Sequence, residues 1–366
     1  MKILYDHQVF SLQNHGGASA YFYELASRLG RLENVDVSVY LGFNHSPYPF
    51  RSLEQLGTHI LGWNIGPGPG LVRYAMNEAV TGAWCLAARN WDIYHSTLYR
   101  RMPVVRARHT VATNHDCTQE RFPELFDDAS RVTDAKKRLY EQADAILCVS
   151  ESSRTDVLRF YSIDRSKTHV VHLGSPLMVR DSERAREFVA RLRRPYLLYI
   201  GARHSYKNFN SLLNAFASGG FAKEYDLAVI GGGALNSAES KEVQRLGLAG
   251  TILHFGSVNQ STLAESYARA ALFVSPSLYE GFGLPPLEAL SLGCPVLASN
   301  SASVPEICGD AALYFDPAIP GDLERGLRDA LNDPDRERRM IMGKEQAARY
   351  RWQTTAEKTF DVYRSL

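Results

Sequence analysis

Short apolar runs recur along the chain, each followed by a longer mixed segment: MKILYD, VDVSVYLGF, WDIYHS, HTVATNHD, ADAILCVS and THVVHLG, then YLLYIGA, YDLAVIGGG, TILHFG, ALFVSPS, PVLASN and AALYFDP. This alternation is the rhythm of βαβ units, which place the apolar runs side by side in a parallel sheet with helices on both faces. Between the runs, GASAYFYELASRLGRL and ESSRTDVLRFY carry helical spacing, the second with Ser152 or Ser153 as its cap. The rhythm breaks once, at SPLMVRDSERAREFVARLRRP, a charge-rich stretch ending in Pro195 that reads as a linker over 175–194. At 366 residues the chain exceeds what one core organises. The expected architecture is therefore α/β, with two doubly wound parallel-sheet domains over 1–174 and 195–351. The tail RWQTTAEKTFDVYRSL has helical spacing that does not itself choose a domain; we assign helix 352–366 to the first. Ligands of such sheets sit beyond the carboxyl ends of the strands, and the cleft between two such domains is the expected site.

Charge narrows the partners. Lys and Arg number 41 against 40 Asp and Glu, a net +1 that supplies no general field for gripping nucleic acid. An anion site must be local. Cys85, Cys117, Cys148, Cys294 and Cys308 are odd in number and lie mostly in apolar runs, so they read as buried reduced thiols of a cytoplasmic protein. MKILYDHQVF starts as a strand and lacks the regions of a signal peptide, and no later run is apolar enough to span a membrane.

The stretch LYEGFGLPPLEALSLG, Leu278 to Gly293, concentrates the chemistry. It should form a loop at the end of ALFVSPS followed by a helix that starts at Pro285 or Pro286 and stops near Gly293. Glycines permit close approach of backbone to a ligand, and amides at a helix start attract an anion. Glu280 falls in the loop and Glu288 in the first helical turn or just past it. Neither acid can bind that anion; carboxylates grip hydroxyls, so the stretch reads as a diphosphate site flanked by two polyols. The plainer alternative is a chain turn with a dipole-favoured glutamate.

These residues, SPSLYEGFGLPPLEAL with GCPVLASNSASVPEICGDAALYFDP, resemble the retaining glycosyltransferases of family 4, whose signature is two glutamates separated by seven residues. YIGARHSYKNFNSLLNAF extends the resemblance, as do DHQVFSLQNHGGASAYFYEL, NHD and ADAILCVSESSRTDVLRFY in the first half. It covers the chain apart from residues 45–90. It implies a GT-B fold, two facing Rossmann-like domains with an interdomain cleft, and transfer of a sugar from a nucleotide diphosphate with retention and without metal or other cofactor.

Residue by residue, the resemblance gives Arg203 and Lys207, after Gly201, to neutralising the donor diphosphate. Two cations in place of a metal can stabilise the charge left on the departing nucleotide. Many family members carry the arginine directly after the glycine, where this chain has Ala202, so Arg203 departs from the pattern. Glu288 would accept from the ribose hydroxyls and Glu280 would face the transferred sugar. Phe282, Gly283 and Leu284 would offer backbone amides to the diphosphate. Gly16 and Gly17 would bring backbone close to diphosphate and acceptor, and His115 would lie near the donor sugar; neighbouring Asp116 reads, from its position, as a cap of the next turn, with orienting the His115 ring as the alternative. Since a donor phosphate oxygen can take the acceptor's proton, Glu280 is not assigned as nucleophile.

The variant ARHSYKNF and the opening segment look like bacterial polysaccharide mannosyltransferases. That points to GDP-mannose as donor, with a UDP- or dTDP-sugar as the alternative, and to a glycan or lipid-linked saccharide acceptor at the inner face of a membrane. Arg100, Arg101 and Lys136–Arg138 read as solvated faces, with lipid headgroup contact as the alternative. Three rivals have weaker footing. A nicotinamide dehydrogenase would need a third glycine in IGGGALNS where Asn236 stands, a phosphorylase would need pyridoxal phosphate, and a non-catalytic sugar-nucleotide binder would show no transfer.

Overall fold

The computed structural model describes residues 1–12, 16–44, 46, 48–64, 72–78, 80, 90–99, 105–175, 180–181, 183–203 and 205–366. It divides into two compact units, Met1–Gly174 with Arg351–Leu366, and Ser175–Tyr350. Arg100, Arg101 and Cys85 lie outside the described residues.

The first unit is built on seven strands: β1 Lys2–Tyr5, β2 Asp36–Asn44, β3 Thr58–Asn64, β4 Trp91–Ser96, β5 Ala107–Asn114, β6 Ala145–Cys148 and β7 Thr168–Val170, in the order β3-β2-β1-β4-β5-β6-β7. All pairings are parallel. Six of the seven strands match the apolar runs above; β3 is an edge strand that the sequence reading did not place. The helix after β6 runs Glu151–Phe160 and is capped by Ser150, whose hydroxyl accepts from the Ser153 amide, not by Ser152 or Ser153 as expected. Lys136 also departs from its reading as a solvated face. Its side chain is wholly buried, pairing with Glu120 at 3.0 Å and donating to the Asp116 carbonyl at 2.9 Å. A buried ammonium is tolerated because it is paired and hydrogen-bonded on both counts.

The last helix, Trp352–Ser365, packs within this first unit. A chain of buried polar groups ties it to the sheet: Tyr363 Oη meets His95 Nδ1 at 2.5 Å and Tyr5 Oη at 3.3 Å, and His95 Nε2 meets Thr113 Oγ1 at 2.7 Å. Burial lowers His95 to about 3, so the ring is neutral and each nitrogen needs a partner. Trp352 closes over Gly174, where a Cβ would stand 2.3 Å from the Trp352 amide nitrogen.

The second unit carries β8 Tyr196–Ile200, β9 Asp226–Ile230, β10 Ile252–Phe255, β11 Leu272–Ser275, β12 Val296–Ser299 and β13 Leu313–Phe315, in the order β10-β9-β8-β11-β12-β13. These are the six apolar runs of the second half, again all parallel. Leu197, Leu227, Val229, Val274 and Leu297 from the sheet pack with Phe209, Leu212, Phe216 and Leu327 from flanking helices. The stretch expected as a linker, 175–194, groups with this unit and contains helix Arg186–Arg191. Phe188 is 2% exposed, its ring 4.6 Å from that of Phe255 and 5.9 Å from that of Tyr196. The polar composition that suggested a linker belongs to the outer face of this short helix. Among the described residues, no helix is long and apolar enough to cross a membrane.

Replacing Tyr363 by Phe strips His95 Nδ1 of its partner in a dry interior and should cost about 1–3 kcal/mol. All four tryptophans fall within the sequence range of the first unit. Denaturant unfolding followed by tryptophan fluorescence should therefore show a lower midpoint for Tyr363→Phe, and an unchanged midpoint would mean that the hydroxyl contributes nothing.

Candidate active site

In the second sheet the strand order reverses between β8 and β11. The chain leaves β8 toward β9 and leaves β11 toward β12, so the loops after these two strands diverge and open a crevice at their carboxyl ends. Lys207 lies on the first loop, in a short turn over Ser205–Lys207, and Glu280 on the second. The loops are bound to each other: Leu278 N donates to Tyr206 O at 2.8 Å, and Lys207 Nζ meets Glu280 Oε1 at 2.7 Å. Ser303, fully buried after β12, donates its hydroxyl to the Glu280 carbonyl at 2.8 Å and fixes the loop from the other side. The sequence reading gave Lys207 and Glu280 separate tasks; the structure brings them into one ion pair, both side chains largely buried.

Gly283 precedes helix Leu284–Ser291 at φ 95°, a left-handed conformation that favours glycine, and a Cβ there would meet Pro286 at 3.4 Å. Pro285 and Pro286 fall at the second and third helical positions and carry no N–H. The donors at this helix start therefore come from Leu284 and from the loop residues before it, Phe282 and Gly283. The Phe282 ring is 4% exposed and stands edge-on to Tyr350 at 5.8 Å, which holds that backbone in place.

Glu288 is the fifth residue of this helix, beyond the first turn, and is half-buried. Tyr267, from helix Gln260–Arg269, donates its hydroxyl to Glu288 Oε2 at 2.9 Å. Burial raises the Glu288 carboxyl to about 7, and the Tyr267 hydrogen bond only partly opposes this. Tyr267 was not singled out from sequence, where it is one more apolar position of an amphipathic helix.

Arg203, expected beside Lys207 on the diphosphate, points elsewhere. Its guanidinium pairs with Glu239 at 2.8 Å and donates to the carbonyls of Gly231, Gly232, Gly233 and Ala234, and only 3% of the side chain is exposed. The structure does not bring Arg203 to the helix start. Asn236, which breaks the dinucleotide pattern in IGGGALNS, caps helix Ser237–Arg245 in a reciprocal capping box with Glu239.

In the first unit, Gly16 and Gly17 stand where helix Gly17–Leu29 begins, and Gly16 O accepts from the Ser19 hydroxyl at 3.0 Å. His115 follows the carboxyl end of β5, edge-on to Tyr21 at 5.5 Å. Burial lowers its imidazole to about 4, opposed by the Asp116 charge and assisted by Lys136, so it is neutral near pH 7. Its Nε2 is shielded from water and has no hydrogen-bond partner among the described residues, as is also true of Nε2 in His109 and His254. Asp116 accepts from the Thr118 amide at 2.9 Å, the turn-capping role expected of it.

The chain matches two family models in succession: Glycosyltransferase Family 4 over residues 15–177 and Glycosyl transferases group 1 over residues 181–347. It is 33% identical to O-antigen chain mannosyltransferase B of Escherichia coli over 299 residues, 78% of this chain and 77% of that one. Among solved structures it is similar to sucrose-phosphate synthase from Thermosynechococcus elongatus, with a TM-score of 0.76 and 18% identity over 100% of this chain and 98% of that one. The Anabaena protein Alr3699/HepE in complex with UDP and glucose gives the same TM-score and identity over 100% of both chains. Both structural likenesses speak to the fold alone.

A raised carboxyl pKa means that the folded chain holds a proton that the unfolded chain releases near 4.5. The stability this proton confers is present below that pH and is lost as pH rises through about 7. Glu288→Gln, which keeps a partner for Tyr267, should be spared that loss. Melting temperatures of wild type and Glu288→Gln from about pH 5 to about pH 8 should diverge in the variant's favour; parallel curves would place the Glu288 titration elsewhere.

Proposed function

Because the chain belongs to glycosyltransferase family 4, with a GT-B fold of two Rossmann-like domains, we propose that it transfers a mannosyl unit from GDP-mannose to a glycan or lipid-linked saccharide acceptor. We further propose that transfer retains the anomeric configuration and requires no metal. The observation that carries the choice of sugar is the 33% identity to an O-antigen chain mannosyltransferase across 78% of the chain. A UDP-hexose is the second reading, since a protein of this fold has been solved with UDP and glucose. A lipid-linked acceptor in surface polysaccharide synthesis would place the reaction at the cytoplasmic face of a membrane.

In this reading the diphosphate docks on the amides of Phe282, Gly283 and Leu284, and Lys207 shifts part of its charge from Glu280 to the arriving phosphates. Glu280, relieved of its partner, turns to the sugar hydroxyls and to the positive charge that develops at the anomeric carbon. The acceptor oxygen bonds to that carbon on the face the nucleotide is leaving, the carbon–oxygen bond to the diphosphate breaks, and the acceptor's proton passes to a departing phosphate oxygen. Glu288 accepts from the ribose hydroxyls, oriented by Tyr267. Neutral His115 offers Nε2 to a sugar hydroxyl, and Gly16 and Gly17 allow backbone to approach the diphosphate and acceptor. No step needs Glu280 as nucleophile, so mass spectrometry of enzyme incubated with donor should show no sugar attached to it.

Thermal unfolding against GDP, UDP, dTDP and ADP without added metal tests the donor. A ligand that binds only the folded chain, at 100 times its dissociation constant, adds about 2.7 kcal/mol. We expect GDP to stabilise the wild type and Lys207→Ala to lose most of that gain. Stabilisation by UDP instead would favour the second reading, and none by any of the four would count against both.

A further inference from the structure

Arg203 is hydrogen-bonded through all three of its guanidinium nitrogens. Nε donates to Glu239 Oε1 at 2.8 Å and Nη2 to Oε2 at 3.3 Å, while Nη1 donates to Gly231 O at 2.8 Å. Nη2 is shared further among Gly232, Gly233 and Ala234 O at 3.1, 3.1 and 2.9 Å. Four consecutive carbonyls thus converge on one planar cation, a geometry that only the guanidinium fork supplies. The loop is shaped to allow it. Gly231, Gly232 and Gly233 follow one another at φ 89°, 71° and 70°, and a Cβ on Gly232 would stand 2.4 Å from Arg203 Nη1. Glu239 carries the tie onward, since its carboxylate also accepts from Asn236 N at 2.7 Å and completes the cap of helix Ser237–Arg245.

We propose that Arg203 is a positioning residue. It moulds the Gly231–Ala234 loop at the carboxyl end of β9 and fastens it to the loop after β8, and it leaves the diphosphate to Lys207 and the helix start. Successive left-handed residues direct their carbonyls to one side and their amides to the other, so a loop held by its carbonyls presents its amides outward. Gly232, Gly233 and Ala234 are exposed, while the cation beneath them is buried. Strand β9 lies next to β8 on the far side from β11, so this loop borders the Lys207 loop away from the Glu280 loop. With the diphosphate between Lys207 and the helix start, the Gly231–Ala234 loop is left for the nucleoside end of the donor. The inference takes the site from the proposed function; the placement of Arg203 stands without it.

Two measurements test the assignment. The first is hydrogen exchange, in the protein alone, of the two amides that flank the outward-facing ones and are hydrogen-bonded: Gly231 N to Gly256 O and Asn236 N to Glu239 Oε2. Arg203→Lys keeps the charge but cannot serve the carbonyls, and it should speed exchange there by roughly tenfold or more; unchanged exchange overturns the proposal. The second is the ratio of the dissociation constants for guanosine and GDP, with uridine and UDP as a parallel pair. Arg203→Lys should weaken nucleoside and diphosphate by the same factor and leave the ratio alone, whereas Lys207→Ala should collapse it. A ratio that falls in Arg203→Lys as it does in Lys207→Ala would make Arg203 a diphosphate ligand. Affinities that do not change at all would make it a structural residue unrelated to the site, and either result overturns the proposal. Glu239→Gln guards against misfolding of the first variant. Loosening of the loop at constant ratio supports positioning, while a rise in diphosphate preference would show that freed Arg203 turns to the phosphates and would overturn it. If wild type binds neither nucleosides nor diphosphates, the glycosyltransferase reading of the site fails, and the exchange measurement alone decides the role of Arg203.

Discussion

The reversal of strand order between β8 and β11 governs everything else in the second unit. Parallel strands must be joined by crossovers, and two neighbouring crossovers that depart in opposite directions cannot cover the space between them. What fills that space comes from the two loops, and both are short of room. One supplies Lys207 and the other Glu280, and a single ion pair with a backbone bond between Leu278 and Tyr206 closes the gap. The glycine before helix Leu284–Ser291 and the prolines inside it then decide which amides face that gap.

Sequence patterning carried the sheet and left the site half-read. Parallel strands buried on both faces are continuous apolar runs, so twelve of thirteen strands could be recognised by hydrophobicity alone. β3 was missed because THILGWN mixes polar and apolar residues and Gly62 interrupts it. The 175–194 stretch misled for the opposite reason: a two-turn helix buries little more than Phe188, and its outer face has a linker's composition. Lys136 looked solvated because its three-residue run is basic, yet helix Ala129–Gln142 turns it inward while Lys137 and Arg138 remain exposed.

The placement of the candidate site followed from strand ends and glycines, but the pairing within it did not. Nothing in the spacing of Lys207 and Glu280, 73 residues apart, announces that they touch. Tyr267 and Ser303 likewise act through partners distant in sequence, Glu288 and the Glu280 carbonyl. The displaced role of Arg203 had one visible trace, the position of Ala202 between it and Gly201. Lys207 pairs with Glu280, Arg203 with Glu239, and Glu288 accepts from the Tyr267 hydroxyl.

The tie between helix Trp352–Ser365 and the first sheet has a further consequence for how the chain is made. Tyr5 and His95 precede the second unit in the chain, but their partner Tyr363 follows it. Without that helix His95 Nδ1 loses its partner and Gly174 is uncovered. The second unit, contiguous from Ser175 to Tyr350, can complete its core while the ribosome is still adding the tail. The segment Arg351–Leu366 belongs to the first unit, so that unit gains this helix only after the second has been synthesised.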